Sequence, residues 1–444
     1  MKNVLVLGAG LVSRPLVRYL LNCEGSTVTV ASRTVSKAEG ILGAHPRGKA
    51  VALDVNAAGG MDALDVLIAG ADVVISLLPY VFHLDVARKC IAHKRHLVTT
   101  SYVKPEMRAL DEAARQAGVL FLNELGLDPG IDHMSAMRVI EAVKGSGGSV
   151  VSFRSYCGGL PAPDNDDNPL GYKFSWSPKG VVLAGTNSAK FLEDGNLKEI
   201  PNTRLFATHW PVFASGVGEL EGYPNRDSVS YIDTYGLHGV RTMFRGTLRN
   251  FGWCATWQKL VELGIVNPQP RADLLTMTFA KVVAEIAGRR PGEDLRGAVA
   301  RRLSLHPQSR EMNNIAWMGL LEDRAIPLGA ESLADALALR LAELMPYRKG
   351  EKDMIVLLHE FLASYPGRPS LRRITSTLVA FGEPEGDSAM SKTVSLPAAV
   401  GTKLLLEGRL RLTGVHIPVV SELYDPILDE LKTLKIECVE EWES

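Results

Sequence analysis

The sequence predicts an α/β protein: a doubly wound parallel sheet, joined to a mixed α+β domain and an all-helical insert. Three observations predict it. Residues 1–126 alternate short apolar runs with helical stretches, and continuous apolar strands belong in a parallel sheet covered on both faces. The first run, residues 3–7, ends in Gly8-Ala9-Gly10 and opens a helix. After Gly148 the pattern changes to polar–apolar alternation, and residues 253–344 become Ala- and Leu-rich with helical periodicity.

Size and charge narrow the class. A chain of 444 residues with 46% hydrophobic content exceeds one domain and supplies several cores. Lys and Arg number 49 against 50 Asp and Glu, so no global field favours nucleic acid or an anionic membrane. There is no apolar run of about 18 residues and no charged segment leading into one, so neither a bilayer span nor a secretory signal is expected. Cys23, Cys90, Cys157, Cys254 and Cys438 are scattered without C-x-x-C spacing. That predicts a reducing, cytoplasmic setting, with no disulfide framework and no metal site.

In chain order, strands are expected at 3–7, 27–31, 49–55, 72–78, 96–100 and 119–123, with helices at 14–21, 84–94 and 105–117. A helix over 132–144 follows from His133, Ala136, Met137, Ile140 and Val143, which repeat near a 3.6 period. Residues 149–156 alternate like a half-exposed strand and open a second domain. The stretch 122–179 is the centre of the chain's organisation. Its part from Ser155 to Lys179 is too polar and too rich in Pro and Gly for a buried strand or a helix, yet it carries Tyr156, Tyr172, Phe174 and Trp176. Aromatic residues are scarce in disordered segments, so an ordered loop closing over a polar ligand is expected. Helices follow at 272–287 and 332–344, strands at 353–361 and 372–380 around a turn at 365–369, and helices at 388–406 and 426–435. The expected division is a dinucleotide-binding domain at 1–126, a substrate domain at 127–250 with a return at 347–385, a helical insert at 251–346, and a C-terminal segment, 386–444, returning to the first domain.

The glycine turn carries the cofactor argument. A strand–turn–helix with Gly8 and Gly10 lets backbone approach a pyrophosphate, and the helix N-terminus offers unpaired N–H groups to the anion. The third fingerprint position is Ser13, small enough for close packing. This is the Rossmann-type dinucleotide fold. The second strand ends in Ser32-Arg33-Thr34, where NAD enzymes place an acid for the ribose 2′-hydroxyl. Arg33 suits a 2′-phosphate, so NADP is the expected cofactor. An ordinary solvated arginine is the competing reading.

Ligands in open α/β sheets sit outside the carboxyl ends of strands. The fourth, fifth and sixth strands end at Ser76-Leu77-Leu78, at Thr99-Thr100-Ser101-Tyr102 and at Glu124-Leu125-Gly126-Leu127-Asp128. These ends frame the nicotinamide. Asp128-Pro129-Gly130 also precedes a helix, so its N–H groups are candidates to bind the ligand or the carboxylate, with Asp128 as a helix cap the plain alternative. Arg226 and Arg245 match carboxylates bidentately, while surface salt bridges would serve as well for either.

Five long motifs stand out: Leu127-Asp-Pro-Gly-Ile-Asp-His133, Ser155-Tyr-Cys-Gly-Gly-Leu-Pro-Ala-Pro163, Asn168-Pro-Leu-Gly-Tyr-Lys-Phe-Ser-Trp-Ser177, Tyr223-Pro-Asn-Arg-Asp-Ser228 and Arg245-Gly-Thr-Leu-Arg249. They resemble the saccharopine reductases, the glutamate-forming saccharopine dehydrogenases of lysine metabolism. Residues 8–15, 76–83, 99–102, 353–361, 388–392 and 425–427 match as well. The resemblance implies a substrate and dimerisation domain, a homodimer, saccharopine as substrate and NADP as cofactor. The lysine–ketoglutarate reductase domain fused in some relatives is expected to be absent. The cofactor would meet Gly8, Gly10, Leu11, Val12, Ser13, Ser32, Arg33, Thr34, Asp54, Val55, Ser76, Leu77, Leu78, Leu125, Gly126, Leu127 and Ser175. The substrate would meet Ser101, Tyr102, Asp128, Arg226, Arg245, Gly246 and Thr247.

The implied reaction oxidises the lysine-side C–N bond of saccharopine, adds water to the imine and releases aminoadipate semialdehyde and glutamate. The resemblance places Tyr102, Asp128 and Cys157 near the reacting nitrogen. Asp128 is assigned as proton acceptor, Tyr102 as a hydrogen-bonding group and Cys157 as a contact, since no covalent intermediate is needed. Two other readings compete: a relative acting on another carboxylated amine such as carboxynorspermidine, and a non-catalytic NADP-binding sensor on the same scaffold.

Overall fold

The structure is a computed structural model and describes residues 1–443. Its first six strands are β1 (Lys2–Leu7), β2 (Ser26–Ser32), β3 (Gly48–Ala52), β4 (Val73–Ser76), β5 (His96–Thr99) and β6 (Leu120–Leu122). The remainder are β7 (Ser149–Pro161), β8 (Ala189–Glu193), β9 (Asn196–Ile200), β10 (Trp210–Ala214), β11 (Gly218–Pro224), β12 (Thr242–Arg249), β13 (Asp353–Ser364), β14 (Arg372–Phe381), β15 (Gly414–His416) and β16 (Val439–Trp442). The chain forms two compact units, Met1–Gly148 with Gly386–Val439, and Ser149–Glu385 with the residues from Glu440 onward.

In the first unit seven strands pair in the order β15-β6-β5-β4-β1-β2-β3. Every pairing is parallel. The apolar runs are buried on both faces, as their composition requires: Val4, Val6, Val28, Val30, Val74, Ile75, Leu97, Val98 and Phe121 are all inaccessible to solvent or nearly so. Winding reverses between β1 and β4, which opens a crevice at the carboxyl ends of those strands. The C-terminal segment belongs here. β15 extends the sheet beside β6. The helix Ala389–Leu406 packs on Ser13–Asn22. Arg138 ties the helix Ile131–Gly145 to Asp425 at 3.1 Å and Asp429 at 2.9 Å.

The second unit is built on a nine-stranded sheet, β10-β11-β12-β7-β13-β14-β16, with β8 paired to β12 and β9 paired to β8. β7 lies at its centre, parallel to β12 and antiparallel to β13. This corrects the expectation of a loop from Ser155, because the strand continues to Pro161. The glycines are there for close packing. A Cβ on Gly158 would stand 2.8 Å from the Cβ and carbonyl oxygen of Leu248, while Tyr156 and Leu160 bury their side chains in the core cluster. The loop proper spans residues 162–177 and is anchored at several points. Buried Lys173 pairs with Asp167 at 2.9 Å and Glu351 at 2.8 Å. Asn250 donates to Asp166 at 3.2 Å and to the Gly171 carbonyl at 2.9 Å.

The helices Trp253–Leu263, Phe279–Ile286, Leu295–Arg302, Arg310–Trp317 and Leu333–Leu344 share one core with Leu170, Tyr172 and Tyr223. Glu221, buried on β11, accepts the N–H groups of Gly252 and Cys254, both at 2.9 Å, and so satisfies the start of the first of these helices. Three expected helices differ in extent. Residues 105–117 form two short helices, Pro105–Arg108 and Asp111–Ala117. Within 272–287 the α-helix begins only at Phe279, where the Thr278 hydroxyl caps it by accepting the Lys281 N–H. The last helix starts at Ser421, ahead of Pro426. Among the described residues no helix is long and apolar enough to cross a membrane.

Replacing Gly158 with Ala drives a methyl group into the β12 backbone. It should destabilise the chain by about 1–3 kcal/mol, read as a lowered urea midpoint by circular dichroism. An unchanged midpoint would show that the β7–β12 contact is looser than described.

Candidate functional site

The glycine turn after β1 is shaped as a bare backbone cradle. Gly8 has φ +110°, and a Cβ there would lie 3.2 Å from the Leu77 carbonyl oxygen, so the ends of β1 and β4 approach too closely for any other residue. A Cβ on Gly10 would meet only open space. The helix Ser13–Asn22 has no side-chain cap and no acid in its first turn, which leaves its N–H groups and positive dipole end for an anion. Leu11 is 75% exposed and Val12 half-buried beside the turn. Ser13 is buried, and its hydroxyl closes back on the Gly10 carbonyl at 2.8 Å, so it shapes the turn. These residues fit the pyrophosphate of a dinucleotide.

At the end of β2, Arg33 and Thr34 are exposed, and the Ser32 hydroxyl accepts the Thr34 N–H at 3.2 Å. Asp54 and Val55 are half-buried just beyond β3, where Asp54 accepts the Asn56 N–H at 3.0 Å. No carboxylate occupies positions 32–34, which agrees with a 2′-phosphate there.

The ends of β4, β5 and β6 are joined by two polar networks that the sequence reading did not single out. In the first, Ser76 donates its side chain to support and not to the crevice. Its fully buried Oγ lies 3.0 Å from His83 Nδ1, and His83 Nε2 lies 3.0 Å from Ser101 Oγ and 3.3 Å from Thr99 Oγ1. Burial pushes the His83 imidazole down to about 4, so it is neutral at physiological pH. Leu77 and Leu78 are half-buried at the same strand end. In the second network, Glu124 adopts φ +60°, accepts the Val103 N–H at 2.8 Å and lies 2.7 Å from buried His133. Both histidines stood in matched motifs. Their places in those motifs were the signal available for them.

Leu125, Gly126 and Leu127 are buried in a tight loop. A Cβ on Gly130, at φ +147°, would come within 2.0 Å of the Gly126 carbonyl oxygen, and the Asp128–Pro129 peptide is cis. Gly130 occupies the cap position of the following helix, and its N–H donates to Asp132 Oδ1 at 2.6 Å. Asp128 is therefore not that helix's cap. It is half-buried and accepts the Tyr102 hydroxyl at 2.7 Å, so the structure brings this predicted pair together.

In the second unit, β7 and β12 set four predicted residues side by side. Their parallel register opposes Arg245 to Ser155, Gly246 to Tyr156 and Thr247 to Cys157. Arg245, Thr247 and Cys157 therefore share one face of the sheet. Arg245 is buried, and its guanidinium lies 4.1 Å over the Tyr231 ring. The segment carrying Arg226 runs alongside: Asn225 N–H donates to the Arg245 carbonyl and the Ser228 hydroxyl accepts the Arg245 N–H, both at 2.9 Å. Arg226 itself is exposed at φ +50°. Tyr231 was missed in the sequence. Ser175 lies in the loop 162–177, and its buried Oγ has no protein hydrogen-bond partner.

The strand order, the bare glycine turn and the polar strand ends define the dinucleotide-binding class of α/β proteins. Residues 4–122 match the family described as "Saccharopine dehydrogenase NADP binding domain", and residues 126–436 match "Saccharopine dehydrogenase C-terminal domain". The chain belongs to the saccharopine dehydrogenase family. It is 38% identical to the NADP, L-glutamate-forming saccharopine dehydrogenase of Schizosaccharomyces pombe over 99% of both chains. The enzyme of the same name from Saccharomyces cerevisiae is 40% identical over 97% of both. The bovine mitochondrial alpha-aminoadipic semialdehyde synthase is 39% identical, with 97% of this chain covering 47% of that longer protein. A solved structure of the apo, L-Glu-forming saccharopine dehydrogenase of S. cerevisiae superposes over all of both chains, with a TM-score of 0.90 at 38% identity.

His83 gives a pH prediction. Its folded value, about 4, lies below the ordinary 6.5, so the unfolded chain binds more protons between those values. The stability it contributes is present above pH 6.5 and lost as pH falls towards 4. The loss should amount to about 3 kcal/mol. Urea unfolding at pH 7 and pH 4 should show that much additional loss in the wild type relative to His83→Gln. Parallel losses in the two proteins would refute it.

Proposed function

We propose that the chain is an NADP-dependent oxidoreductase that cleaves saccharopine to aminoadipate semialdehyde and glutamate, or runs the reductive condensation in reverse, in lysine metabolism. The observation that carries this reading is the full-length likeness to NADP, L-glutamate-forming saccharopine dehydrogenases, in sequence and in fold. The site geometry supports it. In the forward direction the substrate's secondary amine loses a proton, and the adjacent carbon loses a hydride, to give an imine. Water adds to that carbon, the C–N bond breaks, and glutamate leaves with the nitrogen. NADP, when bound, supplies the acceptor for the hydride.

In the first unit the Gly8–Ser13 turn holds the pyrophosphate, and Arg33 with Ser32 and Thr34 holds the 2′-phosphate. Asp128 accepts the amine proton. Tyr102 donates to the Asp128 carboxylate at 2.7 Å, fixing its orientation, and can pass a proton towards water. Ser101, beside Tyr102, offers its hydroxyl to the substrate. In the second unit Arg245, held flat against Tyr231, and exposed Arg226 take carboxylates. Gly246 and Thr247 add backbone and hydroxyl contacts next to Cys157, which touches the substrate without forming a bond to it. The reading includes a homodimer working in the cytoplasm, where Cys23, Cys90 and Cys254 remain reduced thiols.

Absorbance at the reduced-cofactor band tests the reaction: saccharopine should give growth with NADP and much less with NAD. Absence of growth with either cofactor would overturn the reading. Arg33→Asp should reduce the preference for NADP by about 10- to 100-fold, and an unchanged ratio of the two kcat/KM values would remove Arg33 from the 2′-phosphate site. Asp128→Ala should lower kcat by about 100-fold or more. Full turnover with an unaltered pH profile would assign the proton elsewhere.

A further inference from the structure

His83 is buried behind the strand ends and is assigned no step in the reaction, yet it bridges two of them, those of β4 and β5. It opens the helix His83–Ala92, directly after the short turn Tyr80–Phe82. Its Nδ1 meets Ser76 Oγ at the end of β4, and its Nε2 meets Ser101 Oγ just beyond β5, each at 3.0 Å. Thr99 Oγ1, 3.3 Å from Nε2, also accepts the Ser101 N–H at 3.1 Å. The Ser101 carbonyl in turn accepts the Glu124 N–H at 3.2 Å. Every polar atom of Ser101 is thus held from behind, by the imidazole, by Thr99 or by the loop after β6.

A hydroxyl has one donor and two acceptor positions, so each hydroxyl that the imidazole engages keeps further hydrogen-bonding capacity. For Ser76 that capacity is buried completely, whereas Ser101 is partly exposed at the strand end. Of the two, Ser101 can turn it towards a ligand. Tyr102 follows immediately and reaches Asp128. A fixed Ser101 therefore also fixes the backbone that carries Tyr102.

We propose that His83 is a positioning residue that, through Nε2, sets the Ser101 hydroxyl in the orientation that receives the polar amino-acid substrate. The assignment rests on the functional reading above. His83 touches neither substrate nor cofactor and acts through Ser101.

An Asn at position 83 places an amide near Nδ1, whereas a Gln places one near Nε2, so the two variants separate the two contacts. His83→Gln should keep kcat/KM for saccharopine within about 3-fold, and His83→Asn should lose about 10- to 100-fold. In a Ser101→Ala background His83→Asn should add little further loss, since both changes remove the same interaction. The dissociation constant of saccharopine by calorimetry should weaken in the same order, while NADP binding by fluorescence remains unchanged. Equal losses in the Asn and Gln variants, or full additivity with Ser101→Ala, would overturn the assignment. If His83→Asn does not fold, His83→Gln decides alone: activity within about 3-fold supports it, and a loss beyond about 30-fold overturns it. A wild-type chain that neither binds nor oxidises saccharopine overturns the functional reading, and this assignment with it. A competent wild type with equal variants overturns this assignment alone.

Discussion

β1 lies between β2 and β4 and pairs parallel with both, so the winding of the chain reverses beside Gly8. The rest of the first unit depends on that contact. Gly8 and the Leu77 carbonyl are so close that a side chain at position 8 would be strained and crowded at once. The turn beyond it opens the helix Ser13–Asn22 without a side-chain cap, and the ends of β4, β5 and β6 present a row of polar groups. The two histidine networks follow from this alignment. Backbone and hydroxyl groups gathered where a parallel sheet ends are partly cut off from water, and each needs a partner. His83 supplies one for Ser76 and Ser101, and Glu124 one for Val103 and His133.

The second unit meets the same requirement with a different device. Its central strand carries Gly158 where the Leu248 backbone of β12 comes close, and Tyr156 packs near Phe244 of the same neighbour with ring centres 5.2 Å apart. Arg245 is buried on an aromatic face, where a guanidinium loses less hydration than an ammonium would. Arg249, also buried, stands over Tyr172 and Trp253. Glu221 is opposite Arg249 in register and is spent on the start of a helix. Rings and backbone N–H groups hold these three charges inside the unit.

The parts that the sequence made legible are those whose signal is local. The first six strands of the parallel sheet were found within a few residues, because continuous Val, Leu and Ile runs are hard to place anywhere else; the three-residue β15 was not expected. Gly8 and Gly10 were legible because a turn into a helix needs them at that spacing. Ser155 to Pro161 was misread because a glycine pair inside a strand looks like a turn until its neighbour is known. Leu248, 90 residues further along the chain, gives Gly158 its reason. His83 and Tyr231 were passed over on similar grounds. A lone histidine or tyrosine carries no periodicity, and its partners, Ser101 and Arg245, come from other strand ends.

By itself the sequence determined the class of fold, the glycine turn and the absence of an acid after β2, because each follows from residue type at a fixed short separation. Its long motifs also sufficed to point to the family. Only the tertiary structure decided that Asp128 holds the Tyr102 hydroxyl instead of capping a helix, that Ser13 and Ser76 turn their hydroxyls inward, and that Thr247 stands beside Cys157. Those outcomes depend on which distant backbone leaves a polar group short of a partner. That is a property of strand register and burial, and no stretch of the chain carries it alone.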